Sequence, residues 1–259
     1  VNKKYNYLKN KKSKKEPLFS IITVVRNGES HIEKCIKSVI RQKIKNLEYI
    51  IIDGNSSDKT IQIIKKYRNK INIIVREKDK GIYDAFNKGI SLASGKFIGI
   101  VNSDDILTPN ALLIINKYIN KLDFDFIFGS VKKHWGILHG YKPQKIKYSW
   151  GFYSSHSTGF YIKNQSAKKI GKYNLKYRYH ADYDYFYRMI VKKRMKGIST
   201  KKNEITGIFR RGGFSSQIPY RKLFYEEMRI RYDNGQNILF LAILSIYKIF
   251  KNYNKFFKI

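Results

Sequence analysis

The sequence predicts an α/β fold, with a mostly parallel central sheet flanked by helices. Two observations predict it. From Pro17 onward the chain repeats one pattern: a short run of β-branched and aromatic residues, a polar break, then a segment with helical spacing. The apolar runs are also too continuous to leave either strand face to water, which suits strands covered on both sides.

The strands are expected at 20–25, 48–53, 72–76 and 97–101, and the helices at 31–42, 59–67, 84–93 and 110–119. Ser30, Asp58 and the pair Thr108-Pro109 stand before three of these helices, where a side-chain oxygen or an early proline suits unpaired N–H groups. Right-handed crossovers would join the units. After Gly129 the pattern changes to Tyr-, Trp- and His-rich strands at 132–139 and 158–162, the character of an acceptor-facing half. A helix at 182–193, a strand at 204–209 and the loop Arg210-Arg211-Gly212-Gly213 follow. The expected division is a basic tail over 1–16, one large domain over 17–218 and a basic amphipathic helical segment over 219–259.

An apolar fraction of 42% in 259 residues is enough for a core, so the charge does not signal disorder. Against 19 Asp+Glu stand 53 Lys+Arg, a formal charge of +34 that attracts phosphates, anionic headgroups or nucleic acid. Abundant Lys, Ile and Asn give part of that excess a purely compositional source. The single cysteine, Cys35, excludes an internal disulfide framework and a Cys-based zinc site and reads as a small buried apolar residue. The Lys-rich start lacks the apolar core of a secretory signal, which predicts a cytoplasmic protein, and no apolar run is long enough to span a membrane. The segment 237–250 is apolar and is followed by Lys251, Lys255 and Lys258, the composition of an interfacial helix on an anionic membrane surface. Packing on the core or on a second copy is the other reading.

In a doubly wound sheet, ligands bind beyond the carboxyl ends of the strands. Three expected ends are polar: Arg26-Asn27-Gly28, Asp53-Gly54-Asn55-Ser56-Ser57-Asp58 and Asn102-Ser103-Asp104-Asp105. Adjacent carboxylates repel, and a cation offsets that repulsion while bridging to phosphate oxygens. Asp104 and Asp105 are therefore a candidate Mg²⁺ or Mn²⁺ site, with a surface turn before the next helix as the plain alternative.

Five segments in order carry a resemblance: 20–27 (Ser-Ile-Ile-Thr-Val-Val-Arg-Asn), 52–60 (Ile-Asp-Gly-Asn-Ser-Ser-Asp-Lys-Thr), 79–89 (Asp-Lys-Gly-Ile-Tyr-Asp-Ala-Phe-Asn-Lys-Gly), 93–95 (Ala-Ser-Gly) and 101–105 (Val-Asn-Ser-Asp-Asp). Together they resemble glycosyltransferase family 2, over residues 17–216. The resemblance implies a GT-A fold and inverting, metal-dependent transfer of a hexosyl or N-acetylhexosaminyl group from a nucleotide-sugar donor, with a UDP-sugar expected. The acceptor implied is a hydroxyl of a saccharide or lipid-linked molecule in bacterial surface polysaccharide synthesis, at the inner face of the cytoplasmic membrane. A homo-oligomer is compatible with it.

By the same resemblance Thr23, Asn27 and Asp53 hold base and ribose, and Asp104 and Asp105 match the DxD-type motif that touches ribose and binds Mn²⁺ or Mg²⁺ on the diphosphate. Asp84 and Asn87 face the sugar nucleotide. Two departures stand out: Gly54 occupies the place of a second acid that in many members contacts uracil, and Asn102 replaces the first carboxylate of DxD. The run from Tyr179 to Ile190 resembles the later acidic motif, with Asp182 as the catalytic base that removes the acceptor proton. Asp184 is the competing candidate, because positions two apart on a helix cannot both face one site squarely. His156 would contact donor phosphate or metal, and Arg210 and Arg211 would clamp the diphosphate from a mobile loop.

Each residue has a structural reading as well: an Asx turn for Asp53, helix starts for Asp84 and Asp182, a core or turn histidine for His156, a solvated basic turn for Arg210 and Arg211. A nucleic-acid-binding protein would use the charge, yet it lacks a recognised module and leaves the strand-end carboxylates unexplained, so no nucleic acid is expected. A nucleotidylyltransferase would need an early Gly-rich phosphate loop, where Arg26-Asn27-Gly28-Glu29 has one glycine. An inactive scaffold of the same fold would not need Asp104, Asp105 and Asp182.

Overall fold

The runs of Ile and Val become the inner strands of the sheet because alternate residues find a core on each face. The chain is described by a computed structural model covering residues 7–9, 16–149, 152, 157–210 and 218–257. Its first half comprises β1 (Tyr7–Lys9), β2 (Phe19–Val25), α1 (Ile32–Ile40), β3 (Leu47–Asp53), α2 (Thr60–Lys66), β4 (Ile73–Arg76), α3 (Ile82–Leu92), β5 (Phe97–Ile100), β6 (Ile106–Leu107) and α4 (Ala111–Ile119). Beyond these come β7 (Phe126–Phe128), β8 (Ser130–Lys133), β9 (Gly136–Leu138), β10 (Phe160–Lys163), α5 (Asn164–Ile170), α6 (Ala181–Tyr187), β11 (Gly197–Ser199), β12 (Ile205–Ile208), α7 (Tyr220–Asp233), α8 (Ile238–Lys251) and α9 (Tyr253–Phe256).

The main sheet runs β1-β4-β3-β2-β5-β10-β7-β11. Its centre, β4-β3-β2-β5, is parallel, as expected. β10 lies antiparallel between β5 and β7, and β11 pairs parallel with β7. Ile22, Val24, Ile50, Ile52, Ile73 and Val75 face a core shared with α3 and α6, while Ile21, Tyr49, Ile51 and Ile74 face one shared with α1, α2 and α4. Burying each such Ile or Val contributes about 1.5–3 kcal/mol. Register brings Val25, Asp53 and Arg76 level, so the loops after β2, β3 and β4 open at one edge.

Several local expectations are corrected. Within 1–16, expected as a basic tail, Tyr7–Lys9 adds an antiparallel edge strand to β4. The expected strand at 132–139 is a hairpin of β8 and β9, and the smaller sheet β6-β12-β8-β9 was not foreseen. Ser30 does not cap α1 and meets the His31 ring instead. Thr108 donates to Ile205 O at 2.6 Å, tying β12 to the start of α4. Asp58 does serve its helix, accepting from Thr60 N at 3.0 Å. Expected helix 182–193 is α6 followed by a π-helical stretch, Arg188–Lys192.

α7 is not a detachable tail. Glu226 accepts the backbone N–H groups of Arg178, Tyr179 and His180, at 2.5, 2.6 and 2.7 Å. Arg231, fully buried, pairs with Glu227 at 2.6 Å and lies over the Tyr183 ring. Lys248 of α8 joins the same Glu227, so the helices beyond 219 are tied to one another and to α6.

Candidate active site

Three groups of side chains mark the carboxyl edge of the parallel strands. The first follows β5. Asn102 Nδ2 donates to Ser157 Oγ at 3.0 Å, while its buried Oδ1 has no hydrogen-bond partner. Asp104 is half-buried. Asp105 is 1% exposed, and its two oxygens accept from Thr158 Oγ1 and from Arg210 N, the latter at 3.1 Å. Burial pushes the Asp105 carboxyl up to about 7; the Thr158 hydrogen bond opposes that and the charge of Asp104 adds to it. Lys133, held below its ordinary value by burial, packs its Nζ 4.4 Å from the centre of the Phe209 ring.

The second group joins the loops after β2, β3 and β4. Asn27, in the left-handed region at φ 51°, accepts from Ser57 N at 2.9 Å and donates its own N–H to Ser56 Oγ at 2.9 Å. Asp53 is fully buried; Ser56 Oγ donates to it at 2.5 Å, and Arg76 Nε lies 3.4 Å away. Gly54 leaves space that Asp79 fills: a Cβ at position 54 would stand 2.2 Å from Asp79 Oδ2. Asp79 Oδ1 accepts from Gly81 N at 3.0 Å.

The third group surrounds Asp182. It lies in the first turn of α6, where a carboxylate suits the helix dipole. Its Oδ1 lies 2.9 Å from Tyr183 N and 3.0 Å from the Tyr83 hydroxyl, which also reaches Tyr179 O at 2.8 Å. Oδ2 makes no hydrogen bond among the described residues. Burial, with the charge of Asp182, holds the Tyr83 phenol well above its ordinary value and keeps it a donor. Behind it, Tyr173 stacks on Tyr83 and on Tyr185.

The same geometry separates the two helix carboxylates. Asp184 is 3% exposed and committed to Arg188 Nε at 2.9 Å and Asn234 Nδ2 at 3.0 Å. Asp182 is the one with a free oxygen.

Other expected residues stand elsewhere. Thr23 is fully buried within β2, its hydroxyl 3.1 Å from Tyr49 OH and 3.6 Å from Cys35 Sγ, so its side chain faces the α1 side of the core. Asn87 pins the chain at Tyr173, donating to its carbonyl at 2.9 Å and accepting its N–H at 2.8 Å. Asp84 accepts from Lys80 N at 3.1 Å and pairs with Lys88 at 3.3 Å. Asp105, expected beside Asp104 on a metal, turns both oxygens inward. Arg210 reaches back to the His31 ring. His156 and Arg211 lie outside the described residues. Cys35 is buried as expected, and burial pushes its thiol up to about 12.

Tyr83, Asp79, Thr158, Lys133 and Glu226 were not singled out from the sequence, since each acts through a partner distant along the chain. A separate open pocket, lined by Asp125, Lys169, Lys193, Arg194 and Met195, lies at the start of β7 and not among these carboxylates.

No group of three or more His, Cys, Asp or Glu side chains among the described residues could hold a metal alone. Mg²⁺ and Mn²⁺ do not need one, since one or two carboxylates plus substrate phosphates suffice. Asp104 fits that use, and Asn102, two residues earlier in the chain, has a side-chain oxygen without a hydrogen-bond partner.

Comparison with known proteins gives the family and the fold. The family described as "Glycosyl transferase family 2" matches residues 20–195. An uncharacterized glycosyltransferase of Methanocaldococcus jannaschii is 32% identical over 190 residues, 68% of this chain and 65% of that protein, so the chain spans under two thirds of that relative. A PGL/p-HBAD biosynthesis glycosyltransferase of Mycobacterium bovis is 29% identical over 207 residues, 74% of this chain and 79% of that one. Among solved structures, S. aureus TarS 1-349 in complex with UDP superposes with a TM-score of 0.68 at 16% identity, covering 91% of this chain and 72% of that one. The mannosyltransferase PcManGT from Pyrobaculum calidifontis, in complex with GDP-Man and Mn²⁺, gives 0.63 at 14% identity over 98% of this chain and 74% of that one. These likenesses establish the GT-A fold.

Proposed function

From membership of glycosyl transferase family 2, to which the chain belongs, we propose that it transfers a sugar from a UDP-sugar to a hydroxyl of a saccharide or lipid-linked acceptor, with inversion. One observation carries the reading: a contiguous line of contacts along the carboxyl edge. A Cβ at Gly28 would lie 3.4 Å from Ser103 Oγ, beside Asp104; the loops after β2 and β3 meet through Asn27 and Ser57; Gly54 meets Asp79; and Tyr83, four residues on, reaches Asp182.

In this reading Asp182 Oδ2 takes the proton of the acceptor hydroxyl, while Tyr83 and the Tyr183 N–H hold Oδ1 and fix the carboxylate plane. The acceptor oxygen bonds to the anomeric carbon as the bond to the diphosphate breaks, and the nucleoside diphosphate leaves with the electron pair. Asp104 would hold a divalent cation, which when bound neutralises charge on the leaving diphosphate. Arg210 adds a cation at the same edge. Thermal shift with UDP-, GDP- and dTDP-sugars plus Mn²⁺, followed by assay of nucleoside diphosphate release, tests this. A UDP-sugar is expected to raise the midpoint most and to yield UDP. Release of pyrophosphate, or no shift with any donor, would overturn it.

No helix among the described residues is long and apolar enough to cross a membrane. α8 nonetheless exposes Leu239 (72%), Ile243, Ile246 and Phe250 (75%) along one side, with Lys251 and Lys255 following. That face docks on an anionic membrane surface and brings the site to a lipid-linked acceptor. Sedimentation with phosphatidylglycerol vesicles is expected to carry the protein down, and Ile243→Glu/Phe250→Glu to leave it in solution. Equal pelleting of both proteins would remove this face from membrane binding.

A further inference from the structure

We propose that Asp79 reads the nucleotide base and selects a uracil-type imide edge. This rests on the reading of the carboxyl edge as a nucleotide-sugar site. Asp79 reaches that edge from the loop between β4 and α3, and its Oδ2 occupies the space above Gly54, 2.2 Å from where a side chain there would begin. Only glycine at 54 permits this approach. Gly54 is itself fixed, donating its N–H to Val25 O at 2.8 Å, so the floor of the position is rigid backbone from β2 and β3.

The two oxygens of Asp79 are not equivalent. Oδ1 accepts from Gly81 N at 3.0 Å, and Gly81, at φ +122°, holds a conformation that L side chains rarely adopt. Oδ2 has no hydrogen-bond donor among the described residues. A carboxylate with both oxygens free matches the paired N–H donors of guanine. One with a single free oxygen matches a lone N–H flanked by carbonyls, the imide edge of uracil or thymine. The Arg26 Cβ lies 3.4 Å from the same point, so the stem of that side chain borders the position.

The neighbouring carboxylate cannot do this work. Asp53 is fully buried, with Ser56 and Arg76 on its oxygens. Two partly exposed carboxylates follow β4, and Glu77 is paired with Lys88 at 2.7 Å, which leaves Asp79 with an unclaimed oxygen.

Isothermal titration of the full chain with UDP, dTDP and GDP in Mn²⁺ tests the assignment, using wild type, Asp79→Ala and the exchange Gly54→Asp/Asp79→Gly. Wild type is expected to bind UDP at least tenfold more tightly than GDP. Asp79→Ala is expected to lose about 10- to 100-fold of UDP affinity, the worth of one hydrogen bond to a charged group. GDP affinity and Mn²⁺ dependence should stay within about twofold, and the exchange should recover part of the UDP preference. An Asp79→Ala protein that keeps the wild-type UDP affinity and UDP/GDP ratio overturns the proposal and leaves the donor site standing. A wild type that binds none of the three nucleotides overturns both.

Discussion

After β5, one carboxylate of the pair Asp104-Asp105 is buried and the other half-buried; at the start of α6 the same division separates Asp184 from Asp182. The anchors differ. Asp105 is held by neutral donors, a threonine hydroxyl and a backbone N–H, whereas Asp184 has the Arg188 guanidinium against it. Burial outweighs the Thr158 and Arg210 hydrogen bonds and the charge of Lys133, and no ion pair offsets it, which is why Asp105 is pushed up to about 7. The end of β5 thus keeps a half-buried carboxylate, Asp104, beside a buried one that has no ion pair. The start of α6 is balanced by its own arginine, and its remaining carboxylate needs no metal. In the proposed function one pair binds charge and the other moves a proton.

The comparison breaks most sharply at α6. Asp182→Asn is expected to lower turnover by about 10²- to 10⁴-fold, since an amide cannot take the acceptor proton, with UDP affinity within about twofold of wild type. Asp184→Asn should do the opposite. Weakening the buried pair with Arg188 costs about 3 kcal/mol of stability, read in a denaturant titration, while the folded fraction keeps its turnover per molecule. Turnover lost in Asp184→Asn but retained in Asp182→Asn would exchange the two roles and undo the contrast.

The frame of the molecule was readable from the chain because its information is local. β2, β3, β4 and β5 fall within a residue of the expected limits, since uninterrupted Ile and Val runs end at polar residues. Strands of three residues such as β7 and β11 carry no comparable pattern and exist through pairing with distant segments. The site divides the same way. That Asp104 and Asp182 belong to strand-end and helix-start motifs is visible in their neighbours. Which member of each pair is free depends on Thr158, Arg210 and Asn234, 50 or more residues away. Thr23 and Asn87 are of the right residue type for a ligand, but strand alternation turns Thr23 toward α1 and the Tyr173 backbone claims Asn87. Gly54 looks like a lost acid until Asp79 is seen in its place.

A smaller effect sharpens the contrast at β5. Asp104→Asn is expected to reduce the Mn²⁺-dependent gain in UDP affinity by about 10- to 100-fold, because the half-buried carboxylate is the one able to face a cation. Asp105→Asn should cost less than about fivefold: its amide oxygen still accepts from Arg210 N, its amide nitrogen can donate to Thr158 Oγ1, and a neutral group suits a position where burial already disfavours charge. Titration of each variant with UDP, with and without Mn²⁺, separates the two roles. Equal losses would return Asp105 to the metal's ligands and require its bond to Thr158 to break on donor binding, so that the pair at β5 would act together and the division seen at α6 would have no counterpart there.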